Sequence, residues 1–105
     1  MINWLKKLGI GLSQEEKNKK RLKALLEEML ELAKKGEDEK KIREISDHLF
    51  KELFLQIFKK PWTEEALNYD RTRNEILMSF GKGKFYPEDQ KEQCLKRAQQ
   101  YIDLL

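Results

Sequence analysis

The side chains most capable of nucleophilic catalysis in this sequence are its single cysteine and its single histidine, Cys94 and His48. A catalytic pair of this kind requires the two side chains to lie within hydrogen-bonding reach of each other. Cys94 falls among apolar residues at helical spacing, where a buried thiol behaves as a small hydrophobic group. His48 falls on the polar side of a different predicted helix. Because the expected environments are opposite, the sequence predicts a protein that is not an enzyme.

A second chemistry to consider is divalent metal binding by Glu44, His48 and Glu52, which follow one another at intervals of four residues. This spacing aligns them loosely along one side of an α-helix and offers one nitrogen and two carboxylates. A carboxylate-bridged di-metal bundle requires Glu-x-x-His pairs from two helices, which one histidine cannot supply. A solvated face with lysines as ion-pair partners is the favoured interpretation. We therefore predict no metal site and no cofactor.

A short stretch at residues 81–84 combines two glycines with two lysines and could gather amides and ammonium groups around a phosphate. It lacks the longer frame of a P-loop, which ends in Lys followed by Ser or Thr. A flexible connection between helices requires no ligand, and this is the interpretation we favour.

Helices must position all of these residues, and the first two have well-marked ends. Ser13 with Glu16 three residues later predicts a capping box, and Gly36 is suited to end the same helix after Lys35. A second helix is predicted over residues 38–60, capped by Asp38 and followed by Pro61.

The last two predicted helices complete a four-helix pattern. Thr63 caps a third helix reaching Phe80, and Trp62 and Leu67 have the spacing of a hydrophobic staple. A fourth helix opens with Pro87. Short connections favour antiparallel neighbours, with irregular orthogonal packing as the alternative. The predicted fold class is all-α, a small up-down helical bundle of about four helices. We expect one domain over residues 1–105, with an N-terminal amphipathic segment at 1–12 and the bundle at 13–105.

The second helix has the widest apolar arc. Its first part carries a stripe of aliphatic residues at helical spacing, namely Ile42, Ile45, Leu49 and Leu53. Its second part carries apolar residues around most of the circumference, namely Phe50, Phe54, Leu55, Ile57 and Phe58. A helix apolar on several sides is buried on several sides, so this pattern predicts the central helix of the core.

Leu55 is the best candidate for an interface residue on the second helix. At 100° per residue it falls beside Glu44 and His48, away from the stripe, and near Phe54 and Phe58. Interface centres are depleted in charge and enriched in aromatic residues. We predict a contact with another protein or a second copy here. Residues 1–12 folding back over Leu55 is the alternative.

A second candidate interaction patch lies on the third helix at Tyr69, Asp70 and Arg73. The spacing allows an Asp70–Arg73 ion pair and a contact between the Arg73 cation and the Tyr69 ring. Structural pairing is the favoured use, since an unpaired charge on a buried side is costly.

A basic cluster in the first helix supports nucleic-acid binding as the alternative function. It consists of Lys17, Lys19, Lys20, Arg21 and Lys23. Positive charge of this kind can neutralise phosphates. Against this, the net charge is only +3 and no docking motif is present, so a solvated helix face is favoured.

Residues 1–12 form a short amphipathic segment that could lie at a membrane surface through Trp4, Leu5 and Leu8. Docking onto the bundle is the favoured interpretation, because so short a segment binds lipid weakly alone. It does not have the pattern of a signal peptide.

Composition agrees with a folded helical domain. Charged residues make up 39% of the chain, far above the average, while the two signs nearly cancel. A single cysteine fits a reducing compartment, and we expect the cytoplasm and no transmembrane span. The sequence therefore favours a non-catalytic protein-interaction domain, with nucleic-acid binding and peripheral membrane attachment as alternatives.

Overall fold

The computed structural model describes residues 13–36, 39–60, 62–81 and 90–105, and within these ranges the chain is a small all-α helical bundle. Four helices follow one another, and no strand lies in the described ranges. α1 spans Gln14–Lys34, α3 spans Glu64–Met78 and α4 spans Gln90–Leu104. α2 is composed of an α-helical part at Glu39–Glu44, a π-helical part at Ile45–Phe50 and a second α-helical part at Lys51–Ile57. The predicted fold class is confirmed.

Local capping sets the ends of α1. The Glu16 backbone N–H donates to Ser13 Oγ at 3.1 Å, which satisfies one of the amides left free at a helix start. At the other end Gly36 adopts a φ of 74°, a left-handed conformation that glycine takes without steric cost. Both predicted boundaries are confirmed.

The π-helical part of α2 is the main departure from expectation. The Lys51 backbone N–H donates to the Ser46 carbonyl five residues earlier, so the chain winds through fewer degrees per residue here than in an α-helix. Ser46 is fully buried, whereas Leu49 is 56% exposed. The prediction that Leu49 belongs to the buried stripe was wrong, because that prediction assumed 100° per residue throughout.

α2 also ends earlier than predicted. Its last helical residue is Ile57, and Phe58 has extended backbone angles of φ −106° and ψ 94°. The predicted end at Lys60 was based on Pro61 as the terminator. Phe58 is nevertheless 8% exposed, so its ring belongs to the core.

α3 begins as predicted and ends slightly before Phe80. The Ala66 backbone N–H donates to Thr63 Oγ1 at 3.3 Å, which confirms the cap. Trp62 is 69% exposed, so most of its ring faces solvent rather than closing a staple. α3 and α4 form the most extensive helix pair. The predicted caps at Asp38 and Pro87 lie outside the described residues.

α1, rather than α2, is the helix that packs against every other helix of the described ranges. An aromatic row crosses the core from α2 to α3. Successive ring centroids lie 5.6 Å apart for Phe50 and Phe54, 5.1 Å for Phe54 and Phe58, and 5.5 Å for Phe58 and Tyr69. The apolar side chains of α2 thus fill the space between α2 and its neighbours. The prediction that α2 is the central helix of the core was wrong, because α1 holds that position.

Candidate protein-interaction site

A pocket between α2 and α3 brings together four of the six residues predicted for protein interaction. It has a volume of about 270 Å³. Seven residues line it, namely Asp47, Phe50, Lys51, Phe54, Leu55, Asp70 and Arg73. The two helices contribute to it from opposite sides, α2 with apolar and charged residues and α3 with an ion pair. We call this the Leu55 pocket.

Leu55 is the exposed apolar residue of the Leu55 pocket. It is 57% exposed, as predicted, while the neighbouring Phe54 is 8% exposed. The other two predicted interaction residues, Phe58 and Tyr69, are 8% and 5% exposed and do not line the pocket. The expectation that Phe58 flanks an exposed Leu55 was wrong, because Phe58 turns into the core with Tyr69.

The Asp70–Arg73 ion pair borders the pocket on α3. Arg73 Nη2 lies 3.1 Å from Asp70 Oδ1, which confirms the predicted pairing, and Asn74 Nδ2 donates to Asp70 Oδ2 at 3.3 Å. Arg73 Nε is shielded from solvent and makes no hydrogen bond with a described residue. The guanidinium therefore keeps a buried donor that its carboxylate partner does not use.

The aromatic partner of Arg73 differs from the predicted one. Its guanidinium carbon lies 5.4 Å from the centroid of the Phe50 ring, a cation–π distance. Tyr69, the predicted partner, instead packs on Phe58, and burial raises the pKa of its hydroxyl. Phe50 is the last residue of the π-helical part of α2, and its contact with Arg73 joins two helices, which spacing within α3 could not reveal.

Cys94 and His48 occupy the opposite environments that the sequence predicts. Cys94 is fully buried in α4, and its Sγ accepts hydrogen bonds from Gln90 Nε2 at 3.1 Å and Arg97 Nη2 at 3.5 Å. Burial raises the pKa of the thiol, and the nearby Glu75 carboxylate raises it further. His48 is exposed on α2. A neutral buried thiol is a poor nucleophile.

Glu44, His48 and Glu52 are all exposed on α2. The π-helical part lies between Glu44 and Glu52, so a spacing of four residues does not place successive side chains one α-helical turn apart. Within the described ranges, no three or more His, Cys, Asp or Glu residues are grouped so that they could hold a metal ion.

Lys19 is the member of the basic cluster that forms salt bridges with two carboxylates. Its Nζ lies 2.8 Å from Glu65 Oε1 on α3 and 3.2 Å from Glu15 Oε1. The same Nζ lies 5.8 Å from the centroid of the Phe58 ring. The hydrogen bond with Glu65 raises the pKa of Lys19. This lysine therefore joins α1 to α3.

The other members of the basic cluster divide between two surfaces of α1. Lys17, Lys20 and Arg21 are exposed, and at 100° per residue they share one side of the helix. Lys23 is half-buried and faces α4, where it lines a hollow with Asp103. A nucleic acid lying along one side of α1 would therefore meet three of the five predicted cations.

Two further predictions concern residues outside the described ranges. The candidate membrane residues Trp4, Leu5 and Leu8 lie there, as does the stretch 82–84 of the glycine- and lysine-containing loop. None of the described helices is both long enough and apolar enough to cross a membrane.

Comparison of the chain with protein-family models, curated proteins and solved structures found no match. The function must therefore be argued from the surface itself.

Sequence reasoning missed Asp47, Phe50 and Lys51 as pocket residues. Phe50 and Phe54 are one turn apart and Lys51 and Leu55 are also one turn apart, so the pairs themselves were visible in the sequence. Their joint position facing α3 was not.

Proposed function

We propose that this chain is a non-catalytic protein-interaction domain that binds a partner protein through the Leu55 pocket. The observation that carries the proposal is the meeting of Phe54, Leu55, Asp70 and Arg73 around one pocket, with Leu55 57% exposed. Four residues selected for interaction from two separate helices thus share one surface.

The composition of the pocket suits a binding centre surrounded by polar residues. Aromatic residues and arginine are enriched where binding energy concentrates, and charged rims restrict which partner fits. Phe50 and Phe54 supply the aromatic part, while Asp47 and Lys51 supply charges of opposite sign. A partner that inserts one apolar side chain beside Leu55 and places polar groups against the charges of Asp47 and Lys51 would match both features.

The alternatives have weaker support. Nucleic-acid binding is weakened because Lys19 pairs with Glu65 on α3 and Lys23 faces a hollow beside α4 rather than the side of Lys17, Lys20 and Arg21. Its test is retention of nucleic acid at low salt that declines steeply as salt is added. Membrane attachment depends on Trp4, Leu5 and Leu8, which lie outside the described residues. The buried state of Cys94 supports the proposal of a non-enzyme, and its single free thiol supports the cytoplasm as the proposed location.

The test is site-specific photo-crosslinking in the native host. A photoreactive residue replaces Lys51, which is exposed and lines the pocket. We expect a discrete protein adduct that Leu55→Glu removes, because a carboxylate placed at an apolar interface centre must be desolvated on binding. An adduct of twice the 12.6 kDa chain mass would identify a second copy as the partner.

The matched control is Leu104→Glu, which places the same charge on a leucine that is 74% exposed on α4. It should leave the adduct unchanged. The thermal unfolding midpoint of both variants should stay near that of the unmodified chain, since neither leucine is buried. Absence of any adduct, or an adduct that Leu55→Glu does not reduce, would contradict the proposed function.

A further inference from the structure

A second apolar surface lies between α1 and α2, on the side of α2 that carries Leu49. Two adjoining hollows of about 440 Å³ and about 460 Å³ share Gln56. The first joins Leu25 of α1 to Leu49 of α2, and the second joins Gln14 of α1 to Lys59 of α2. The two helices therefore run in opposite directions along one groove, which we call the α1–α2 furrow.

The centre of the furrow is aliphatic and open to solvent. Leu25 and Leu53 are half-buried, whereas Ala24 is exposed and Leu49 is 56% exposed. Apolar surface grouped in this way is unfavourable in water and is typical of a place where another apolar surface binds. The furrow shares no lining residue with the Leu55 pocket, so it is a separate surface.

Charged side chains of opposite sign face each other across the furrow. In its first hollow Arg21 on α1 lies across from Glu52 on α2, and both residues are exposed. In its second hollow Glu15 on α1 lies across from Lys59 on α2. Among the described residues neither Arg21 nor Glu52 has an ion-pair partner. Each wall of the furrow thus carries one cation and one anion, in opposite order.

This arrangement of charge is complementary to itself. A symmetric dimer presents the same patch from both copies, so each contact between two different residues occurs twice. A two-fold axis that runs along the furrow exchanges its two walls and keeps every residue at its own level. Such an axis places Arg21 of one copy against Glu52 of the second copy, and Glu15 against Lys59. Opposite charges that meet in this way select the partner and its orientation.

We propose that two copies of this chain associate face to face through the α1–α2 furrow, with Leu25, Leu49 and Leu53 of each copy at the centre. A second copy fits this surface better than a nucleic acid, because a nucleic acid would place phosphates against Glu52. The proposal does not depend on the proposed function, since the furrow and the Leu55 pocket have no residue in common.

The size of the furrow predicts a weak dimer. Its lined length on α1, from Gln14 to Leu25, is about 16 Å, and two adjacent helices are together about 20 Å wide. This footprint is smaller than the roughly 800 Å² per partner that a standard interface buries. We therefore expect a dissociation constant between about 10 μM and about 1 mM.

Sedimentation equilibrium of the full chain, from about 10 μM to about 1 mM, tests the association. We expect the mean mass to rise from 12.6 kDa towards twice that value. Leu49→Glu should weaken the dimer by at least about 10-fold, because it places a carboxylate in the apolar centre from both copies.

Leu55→Glu is the matched control for Leu49→Glu. The two leucines are 57% and 56% exposed on the same helix, and only Leu49 lines the furrow. Leu55→Glu should therefore leave the dissociation constant unchanged. Circular dichroism should show an equal helix content for both variants, so that a difference in association is not a difference in folding.

Exchange of charge between copies tests the two-fold arrangement. Arg21→Glu alone and Glu52→Arg alone should each weaken the dimer several-fold, because like charges then meet between the copies. An equimolar mixture of the two variants should associate as tightly as the unmodified chain, since each copy then supplies the charge that the other requires. Native mass spectrometry identifies the mixed dimer by its mass. Lys20→Glu, at an exposed residue beside Arg21 that does not line the furrow, is the control and should have no effect.

Three outcomes would overturn the proposal. The full chain could stay monomeric up to about 1 mM, which would assign the furrow to a different occupant. The dimer could be weakened by Leu55→Glu and not by Leu49→Glu, which would place the contact at the Leu55 pocket. The mixture of charge variants could fail to associate, which would exclude the two-fold arrangement. The adduct at Lys51 and its loss in Leu55→Glu report on the Leu55 pocket alone, so failure of either proposal is recognisable.

Discussion

The side chains of Cys94, Tyr69 and Lys19 hold their protons more tightly in the folded protein than in an unfolded chain. Burial raises the pKa of the Cys94 thiol and of the Tyr69 hydroxyl. The hydrogen bond with Glu65 raises the pKa of the Lys19 ammonium. Loss of a proton from any of the three at alkaline pH therefore favours the unfolded state, although two are buried neutral groups and one is a paired cation.

Stability should consequently decrease on the alkaline side. The native state binds more protons than the unfolded state once unfolded groups begin to ionise, so the free energy of unfolding falls as pH rises. For Cys94 the loss begins above about pH 8.5, for Tyr69 above about pH 10, and for Lys19 as pH rises through its raised folded-state pKa. Urea unfolding at intervals from pH 7 to about pH 10.5 measures the decline.

Cys94→Ala tests whether Cys94 causes the part of this decline in stability that occurs at the lowest pH. The variant lacks the thiol, so its free energy of unfolding should change less between about pH 8.5 and pH 10 than that of the unmodified chain. The free energy of unfolding of each protein is compared with its own value at pH 7. The constant effect of lost packing at this buried site then cancels. Equal slopes for the two proteins over this range would show that Cys94 does not contribute.

At the scale of elements, the π-helical part of α2 decides which side chains the helix presents to each neighbour. Within it Ser46 is buried, Leu49 is exposed and Phe50 lies against Arg73. Two of its residues, Asp47 and Phe50, line the Leu55 pocket. Ser46 Oγ is buried here and makes no hydrogen bond with a described residue.

Ser46→Ala should raise the free energy of unfolding by about 1 kcal/mol, because it removes a buried hydroxyl without a partner and changes volume little. Ser79→Ala is the matched control. Ser79 is 4% exposed and its Oγ donates to the Ile76 carbonyl at 2.6 Å, so its loss should lower stability by about 1 kcal/mol. Urea denaturation measures both, and a decrease for both serines would show that Ser46 Oγ has a partner.

At the scale of the whole molecule, stability depends on one core that the aromatic row of α2 shares with α3. Phe54 is 8% exposed and contacts the rings of Phe50 and Phe58. Leu55, the next residue, faces the solvent side of the same turn. Adjacent positions on one helix thus belong to the core and to the candidate binding surface.

Phe54→Ala should lower the free energy of unfolding by about 3–5 kcal/mol, a large share of the total for a domain of this size. Leu55→Ala should change it by no more than about 0.5 kcal/mol, since surface substitutions rarely do more. Thermal unfolding followed by circular dichroism compares the two. Similar midpoints for the two variants would mean that the boundary between core and surface on α2 is elsewhere.

The features that the sequence alone determined are those set within one or two turns of a helix. The Ser13 and Thr63 caps, the left-handed Gly36 and the Asp70–Arg73 pair join residues at most four positions apart, so propensity and spacing sufficed to predict them. The burial of Cys94 followed from periodicity in the same way. These signals also established the four-helix, all-α class.

Tertiary packing alone decided which faces of α2 meet which neighbours. A fixed 100° per residue predicted a buried Leu49 and a Tyr69–Arg73 contact, whereas Leu49 is 56% exposed and Arg73 lies over the Phe50 ring on α2. The Lys19–Glu65 pair likewise joins residues far apart in the chain. The physical reason is that helical winding can adjust so that large rings fit between helices, and that adjustment depends on partners absent from the local sequence.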